Sequence, residues 1–171
     1  RILIDAYEPG SVGKVMTMAA ILEEGAMQPE SKLKVPGALR IADKTFHDHD
    51  KHGTLHLTLT GVLAKSSNIG TILASQKIKG TTLYDYFVKF GIGQQTGLNF
   101  PGEQAGLLIS PDKWSGTTEP TFAFGQGYNT TALQNAVVFA TLGNGGLRVT
   151  PKLVAGLTDA NGRFTATAES S

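Results

Sequence analysis

The sequence contains no cysteine among its 171 residues, which excludes disulfide bonds and thiol chemistry. Charged residues make up only 17% of the chain and nearly cancel, leaving a formal net charge of +1. Nucleic acids and anionic membranes attract an excess of basic residues, so neither is expected as a partner. No apolar run approaches the roughly 20 residues that a membrane-spanning helix needs. What remains is the composition of one globular domain, with 40% hydrophobic residues.

Apolar residues recur with helical spacing in five segments, and capping or glycine signals bound them. The predicted helices cover residues 11–27, 58–65, 67–77, 81–90 and 131–142. The other predicted elements are an irregular polar loop over residues 28–53, short strands and turns over residues 95–108, and a β-hairpin over residues 149–167. Gly25 is the predicted stop of the first helix, and Asn161-Gly162 is a typical hairpin turn. No repeat or linker divides the chain.

The pattern Ser-x-x-Lys gives the first chemical signal. It begins at Ser11, Ser31 and Ser110, but only the first copy opens a sustained apolar helix. Positions three apart lie on one helical face, so the Lys14 amine can reach the Ser11 hydroxyl. A helix N-terminus offers positive potential and unpaired amides, which favour both an oxyanion and a neutral lysine able to act as a base. On this spacing alone, a capping Ser11 and a solvated Lys14 are the simpler interpretation.

A second polar motif, Ser66-Ser67-Asn68, falls in the predicted break between two helices. A hydroxyl and a carboxamide two residues apart can point into the same space from such a turn. The alternative is structural, with Ser67 or Asn68 capping the helix that follows. Taken alone, this motif also favours capping.

Three segments taken together resemble one protein family. They read YEPGSVGK, LTLTGVLAKSSNIG and FAFGQGYNTTALQNAVVFATLGNGG. In order and spacing they are similar to the transpeptidase domain of class B high-molecular-mass penicillin-binding proteins, above all to the division-type enzymes that cross-link septal peptidoglycan. The resemblance runs almost from end to end. It implies an α+β fold, with a helical subdomain beside an antiparallel sheet and the active site between them.

The resemblance implies a role for each polar residue of the two motifs. Ser11 would be the nucleophile that accepts the acyl group, and Lys14 would be its base. Ser66 would relay a proton to the leaving group, and Asn68 would hold the amide backbone of the substrate and orient Lys14. The backbone amide of Ser11 would supply half of an oxyanion hole. No cofactor and no metal are implied.

The implied function is that of a serine D,D-transpeptidase. Its partners would be peptidoglycan stem peptides, β-lactam antibiotics and membrane proteins of cell division, and no nucleic acid. It would act at the extracytoplasmic face of the bacterial cytoplasmic membrane, anchored by an N-terminal helix that this chain does not contain. Two alternatives stay open: a β-lactamase or D,D-carboxypeptidase with the same nucleophile, and a non-catalytic β-lactam sensor or division scaffold.

The sequence also departs from the family pattern. Gly13 stands where the family often has a bulky residue, which predicts less packing beside the nucleophile. No Lys-Thr-Gly motif occurs anywhere, so the 171 residues are expected to form a partial transpeptidase domain that is inactive alone. Its helix face around Val15 and Ala19 is expected to lack a sheet partner. The two glycines of the Phe-Gly-Gln-Gly segment are expected to be structural.

All four histidines cluster in the segment FHDHDKHGTLH. They are His47, His49, His52 and His56, with Asp48 and Asp50 between them. Zinc takes such ligands readily, but Gly53 argues against the helix that would bring His52 and His56 together. A solvated loop is therefore expected. In the family a loop at this position carries an aspartate, and Asp50 is assigned to it.

Overall fold

The chain folds into six α-helices and eight short strands over residues 1–167, the part that the computed structural model describes. The helices are α1 (Lys14–Glu23), α2 (Leu59–Ala64), α3 (Asn68–Ser75), α4 (Gly80–Lys89), α5 (Thr118–Ala123) and α6 (Ala132–Gly143). The strands are β1 (Ala6–Tyr7), β2 (Lys32–Val35), β3 (Leu39–Ile41), β4 (Lys44–Phe46), β5 (Leu55–Thr58), β6 (Thr130–Thr131), β7 (Gly156–Thr158) and β8 (Phe164–Ala166). The strands form four antiparallel pairs, β1 with β6, β2 with β5, β3 with β4 and β7 with β8. The architecture is α+β, as the sequence predicts.

All five predicted helices are confirmed, although three are shorter than their patterns. α1 begins at Lys14 rather than Ser11, because Gly10–Gly13 form a 3-10 turn that leads into it. Gly25 ends α1 as predicted. Its φ is 63°, and the amide of Ala26 donates to the carbonyl of Ile21 at 3.1 Å. A residue without a Cβ adopts this conformation most easily.

The prediction of an irregular loop over residues 28–53 is wrong in part, because this stretch contains β2, β3 and β4. In β2, Leu33 and Val35 are buried and the lysines that alternate with them are exposed, as in a half-buried strand. Leu33 pairs with Leu57 of β5. The sequence analysis also did not predict α5, because Pro120 was taken as a helix breaker. It lies in the first turn of α5, where proline is tolerated.

α1 is the central helix and is buried on two sides. On one side Met16 belongs to a hydrophobic cluster with Phe87 and Phe122, from α4 and α5. On the other side Met18 and Ile21 belong to a second cluster with residues of β2, α2 and α3. Burial of one such side chain contributes about 1.5–3 kcal/mol. Packing on two sides therefore fixes the position of Lys14 at the start of this helix.

A third side of α1 is only partly covered. Val15, Ala19 and Leu22 follow helical spacing along it, and Val12 of the preceding 3-10 turn extends the row. Val12 and Leu22 are 46% and 42% exposed, and the two residues between them are half-buried. Val15 and Ala19 pack against the first cluster, so the exposed apolar surface lies at Val12 and Leu22, and the face around Val15 and Ala19 is only partly open.

The predicted hairpin near the end of the chain is confirmed. β7 and β8 are joined through Asn161 and Gly162, and the amide of Asn161 donates to Asp159 Oδ1 at 2.9 Å. The hairpin stands outside the hydrophobic clusters, with Leu157 71% and Phe164 59% exposed. Within residues 1–167, no helix is both long enough and apolar enough to cross a membrane.

Candidate active site

Ser11 lies in the 3-10 turn of residues 10–13, named here the 10–13 turn, which the Phe-Gly-Gln-Gly segment holds in place. The Gly10 amide donates to the Gly125 carbonyl at 2.7 Å, and a Cβ on Gly125 would collide with the Gly10 carbonyl. The Gly127 amide donates to Glu8 Oε1 at 2.8 Å. Two segments that are far apart in the sequence are therefore fastened together beside Ser11, and the structural interpretation of both glycines fits these contacts.

Gly13, on the same turn, faces a tyrosine that sequence reasoning missed. A Cβ on Gly13 would collide with the Tyr128 hydroxyl and would lie 3.2 Å from Gly125 Cα. Tyr128 is buried, and its ring centroid lies 5.2 Å from that of Phe87 and 4.8 Å from that of Phe122. The prediction of loose packing beside the nucleophile is therefore wrong, because Tyr128 fills the space. No local sequence pattern links positions so distant.

Lys14 is the centre of the candidate site and brings the two motifs together. Its Nζ lies 3.2 Å from Ser11 Oγ, 3.0 Å from Ser66 Oγ and 2.5 Å from the Ser66 carbonyl oxygen. The side chain is wholly buried, with 0% exposure. The alternative of a solvated surface lysine is thus wrong.

The environment of Lys14 favours loss of its proton. Burial lowers the pKa of Lys14 from 10.5 to about 8, and the negative charge of Asp48 opposes this shift. The Ser66 carbonyl can only accept a hydrogen bond, so it takes one hydrogen of the amine. A neutral amine then still has a lone pair, which the Ser11 hydroxyl can approach as a donor. The arrangement suits proton transfer from Ser11 to Lys14.

Ser66 belongs to the turn of residues 66–68, named here the 66–68 turn, which joins α2 to α3. Ser66 has a φ of 54°, a strained value for a residue with a side chain. Ser67 is the N-cap of α3: its Oγ accepts from the Gly70 amide at 2.8 Å. The capping predicted for this motif therefore falls to Ser67, which leaves Ser66 to contact Lys14.

Asn68 is the first residue of α3 and makes a different contact from the one expected. Its Nδ2 donates to the carbonyl of His47 at 3.1 Å. The contacts of Lys14 given above are with the two serines, so the expected orientation of Lys14 by Asn68 is not what this geometry provides. Asn68, Ser11 and Ser66 nevertheless line one cleft of about 460 Å³ together with His49.

Asp48 anchors the 66–68 turn, and sequence reasoning missed its role. Its Oδ1 accepts from the Ile69 amide at 2.9 Å, and its Oδ2 accepts from Ser67 Oγ at 2.7 Å. Burial works against the charge of Asp48, but the hydrogen bonds from Ile69, Ser67 and His52 outweigh it and hold the pKa of the carboxyl below its usual value. These contacts correct the assignment of the loop aspartate to Asp50, which only lines the cleft.

The histidine cluster is not gathered around one point. His52 Nε2 lies 2.9 Å from Asp48 Oδ2, whereas His56 lies on β5 with an exposed side chain. Over residues 1–167, no group of three or more histidine or acidic side chains is placed to hold a metal ion. The alternation of His and Asp in HDHD gave no means of telling which aspartate turns inward.

Comparison with known proteins places this geometry in a family. Residues 1–170 match the profile of the penicillin binding protein transpeptidase domain. The chain is 42% identical over 148 residues to penicillin-binding protein PbpB of Mycobacterium tuberculosis and 37% identical over 148 residues to peptidoglycan D,D-transpeptidase FtsI of Escherichia coli. It also superposes on the crystal structure of penicillin binding protein 3 from Mycobacterium tuberculosis in complex with aztreonam, with a TM-score of 0.93 at 38% identity.

These matches cover most of this chain but a minor part of each relative. The two sequence matches span 86% of this chain and 22% and 24% of the relatives, respectively. The structural match spans 99% of this chain and 38% of the solved one. The chain therefore corresponds to about a quarter of the length of the curated relatives it matches.

Proposed function

The chain belongs to the penicillin-binding protein transpeptidase domain family, and from this membership we propose that it carries the nucleophile of a serine D,D-transpeptidase that cross-links peptidoglycan stem peptides. One observation supports the proposal above all others. Lys14 Nζ, buried and with its pKa lowered to about 8, lies within 3.2 Å of both the Ser11 and the Ser66 hydroxyls. A nucleophile, an adjacent base and a second hydroxyl on that base are the parts that acyl transfer needs.

In the proposed first step, Ser11 Oγ attacks the carbonyl carbon between the two terminal D-alanines of a stem peptide. Neutral Lys14 takes the Ser11 proton as the O–C bond forms. The amide of Ser11, in the 10–13 turn that leads into α1, donates to the developing oxyanion. Ser66 then passes a proton from Lys14 to the nitrogen of the departing D-alanine as the C–N bond breaks. The products are an ester on Ser11 and free D-alanine.

In the proposed second step, an amine of a neighbouring stem peptide attacks the ester. Lys14 takes a proton from that amine, the C–O bond to Ser11 breaks, and Ser11 recovers its proton. A β-lactam would enter the first step as a mimic of the donor peptide and leave an ester that hydrolyses slowly. The aztreonam complex of the related penicillin binding protein 3 supports this extension.

Asn68 is proposed to bind the backbone of the donor peptide. Its carboxamide lines the same cleft as Ser11, and Nδ2 is already committed to the His47 carbonyl. The carboxamide oxygen has no partner among the described residues, so it is the atom available to accept a substrate N–H.

We also propose that these residues form only part of the catalytic cleft. Val12 and Leu22 are exposed at the two ends of a partly covered apolar row, and the chain contains no Lys-Thr-Gly sequence. The family resemblance implies that a strand with this motif forms the facing wall and donates the second oxyanion-hole hydrogen bond. Loss of one such donor costs about 10²–10³ in rate. The 171-residue chain alone is thus expected to bind labelled penicillin negligibly, and a chain that includes the downstream strand is expected to bind it.

The proposed place of action follows from the proposed substrate. Peptidoglycan lies outside the bacterial cytoplasmic membrane, so the complete protein is expected at the extracytoplasmic face of that membrane. The likeness to division-type enzymes favours membrane proteins of cell division as partners.

Peptide mapping tests the assignment of the nucleophile. The complete protein is incubated with a fluorescent penicillin and digested with trypsin, and the labelled peptide is sequenced. The adduct is expected on Ser11, within the peptide that ends at Lys14, and Ser11→Ala is expected to abolish it. Ser31→Ala, at another Ser-x-x-Lys, is the matched control and is expected to label normally. An adduct on Ser66 or Ser67 would contradict the proposed roles.

A further inference from the structure

His52 is held between two hydrogen-bond acceptors. Its Nδ1 lies 2.5 Å from the carbonyl oxygen of Gly53, and its Nε2 lies 2.9 Å from Asp48 Oδ2. A backbone carbonyl and an ionised carboxylate can only accept, so both ring nitrogens must donate. Only the imidazolium form does this, because neutral histidine has a single N–H. The geometry therefore selects the charged form of His52.

His52 is connected to the active site through Asp48, whose carboxylate it contacts. The carboxylate that contacts His52 also accepts from Ser67 Oγ and from the Ile69 amide, at 2.7 and 2.9 Å. Both of these donors lie at the start of α3, on either side of Asn68. The two side chains are 15% and 10% exposed, so the ion pair is shielded from water on most sides. His52 thus holds in place, by a hydrogen bond and by charge, the carboxylate that fixes the 66–68 turn.

Asp48 also acts on Lys14, in the direction that opposes catalysis. Its negative charge favours the protonated form of Lys14, whereas a general base must be neutral. A positive charge on His52 offsets that of Asp48 and so weakens its pull on the Lys14 proton. Lys65, at the end of α2, works against the charge on His52.

The other titratable groups of the loop contact neither ring nitrogen of His52, although some of them line the same cleft as Asp48 and Lys65. His47, His49 and Asp50 line the open cleft, and Lys51 is exposed. On the side of the β2–β3 turn, the backbone carbonyl of His52 packs against Gly37, so that neighbour brings no charge.

We propose that His52 is a positioning residue of the active site: as an imidazolium it clamps Asp48, and through Asp48 it holds the 66–68 turn and keeps the Lys14 amine ready to lose its proton. Its effect on catalysis rests on the proposed function, whereas its effect on Asp48 and Lys14 does not. Protonation of His52 is therefore expected to affect both the proton affinity of Lys14 and the position of the 66–68 turn.

Variants of His52 separate its hydrogen bond from its charge. His52→Gln can still place an N–H donor near Asp48 but has no charge, and His52→Ala lacks both. His56→Gln is the matched control, since His56 is an exposed histidine on β5. Asp48→Asn removes the charge that His52 faces. Each variant is made in the 171-residue chain and in the complete protein.

Nuclear magnetic resonance titration of the 171-residue chain is the first measurement, and it needs no catalytic activity. The His52 ring is expected to titrate above its ordinary value of 6.5 in the unmodified chain, and Asp48→Asn is expected to lower the pH at which it titrates. In His52→Gln the titration of the Lys14 side chain is expected to move up by roughly half a pH unit, and His56→Gln is expected to leave it unchanged.

The pH profile of acylation by a fluorescent penicillin in the complete protein is the second measurement. His52→Gln is expected to move the acidic limb of the profile to higher pH with the same plateau, and His52→Ala to lower the plateau as well. A His52 ring that titrates like an exposed histidine, or an unchanged Lys14 titration in His52→Gln, would overturn the proposal. If the unmodified protein is not acylated at Ser11, the proposed function fails while the titrations still decide the role of His52.

Discussion

The two turns that meet at Lys14 are held by different forces. The 10–13 turn is fixed by close packing and a backbone hydrogen bond: the Gly10 amide donates to the Gly125 carbonyl, and Gly13 leaves no room beside the Tyr128 hydroxyl. The 66–68 turn is fixed by hydrogen bonds and charge, through Asp48 and its partners. Close packing does not depend on pH, whereas an ion pair does. The nucleophile therefore lies on a turn whose own contacts carry no charge, whereas the turn that bears Ser66 is held by an ion pair that depends on pH.

The largest effect is expected at Lys14, where the two turns meet. Lys14→Arg should reduce acylation of the complete protein by about 10²–10⁴-fold, the usual contribution of a general base, because arginine keeps its proton. Acylation rates with a fluorescent penicillin measure this. Lys34→Arg is the control, since Lys34 belongs to another Ser-x-x-Lys and is exposed on β2. A rate within a few-fold of the unmodified protein would remove Lys14 from the mechanism.

Arginine is also larger than lysine, so the fold of this variant must be checked separately. Circular dichroism and thermal unfolding serve that purpose. Lys14→Gln, which is smaller and has no basic nitrogen, is expected to lose acylation to a similar degree. Loss of acylation in both variants with an intact fold would assign the effect to the missing base.

The second effect tests the side held by shape. Gly13→Ala places a methyl group on the Tyr128 hydroxyl, and overpacking of this kind costs about 1–3 kcal/mol of unfolding free energy. Displacement of Ser11 from Lys14 should also slow acylation by about 10²-fold. Tyr128→Phe in the same molecule removes the atom in the way and should restore much of both losses. Denaturant unfolding and acylation rates measure them.

Rescue of Gly13→Ala by Tyr128→Phe would show a specific steric contact, rather than a position that accepts no alanine for other reasons. Gly125→Ala is the matched comparison, because its Cβ would meet the backbone carbonyl of Gly10 rather than a side chain. Tyr128→Phe should not rescue Gly125→Ala. Equal rescue of both variants, or of neither, would contradict the proposed contact between Gly13 and Tyr128.

The elements of the helical subdomain were predictable because their signals are local. The spacing of apolar residues gave the helices, Gly25 gave the end of α1, and the Ser-x-x-Lys spacing brought Lys14 to Ser11. The strand β2 was not predicted, because its alternating pattern of buried Leu33 and Val35 with exposed lysines is only four residues long and lies between prolines. Short signals of this length cannot compete with nearby breakers.

The sequence predicted a neutral Lys14 but identified only part of the physical cause. The helix N-terminus was expected to favour a neutral amine, whereas burial is the larger cause of its lowered pKa. Burial depends on packing between α1 and the 66–68 turn, which no local pattern reports. The contacts of Asp48 and Tyr128 were missed for the same reason, since each joins segments that are distant in the chain.

The third effect tests the side held by charge. Asp48→Asn should lower the free energy of unfolding by about 1–2 kcal/mol, because the bonds to Ser67, Ile69 and His52 weaken. The loss should depend on pH. The lowered pKa of Asp48 gives stability that is present above its ordinary value of 3.8 and is lost as pH falls through the folded value.

The raised pKa of His52 gives stability that is fully present below its ordinary value of 6.5 and is lost as pH rises through the folded value. The contribution of the pair should therefore be largest between these two ordinary values. Thermal unfolding across this pH range measures the difference between the unmodified chain and Asp48→Asn. A difference that stays constant with pH would show that charge does not hold this turn, while Gly13→Ala should give just such a constant difference.

The smallest effect is expected from Tyr128→Phe alone, and Ser67→Ala makes the same chemical change at the 66–68 turn. Both substitutions delete one buried hydroxyl. Ser67 Oγ donates to Asp48 and accepts from Gly70, so its loss should cost about 1–2 kcal/mol. The Tyr128 hydroxyl has no hydrogen-bond partner among residues 1–167.

A buried hydroxyl without a partner lost its water on folding and gained nothing in return, so its removal should be nearly neutral or slightly stabilising. We expect Tyr128→Phe to change the free energy of unfolding by less than about 0.5 kcal/mol, and to leave acylation unchanged because Gly13 and Ser11 keep their positions. Denaturant unfolding of the two variants side by side measures the contrast. If Tyr128→Phe cost as much as Ser67→Ala, the tyrosine hydroxyl would have to be bonded in solution, and its contact with Gly13 would be part of a polar network rather than close packing alone.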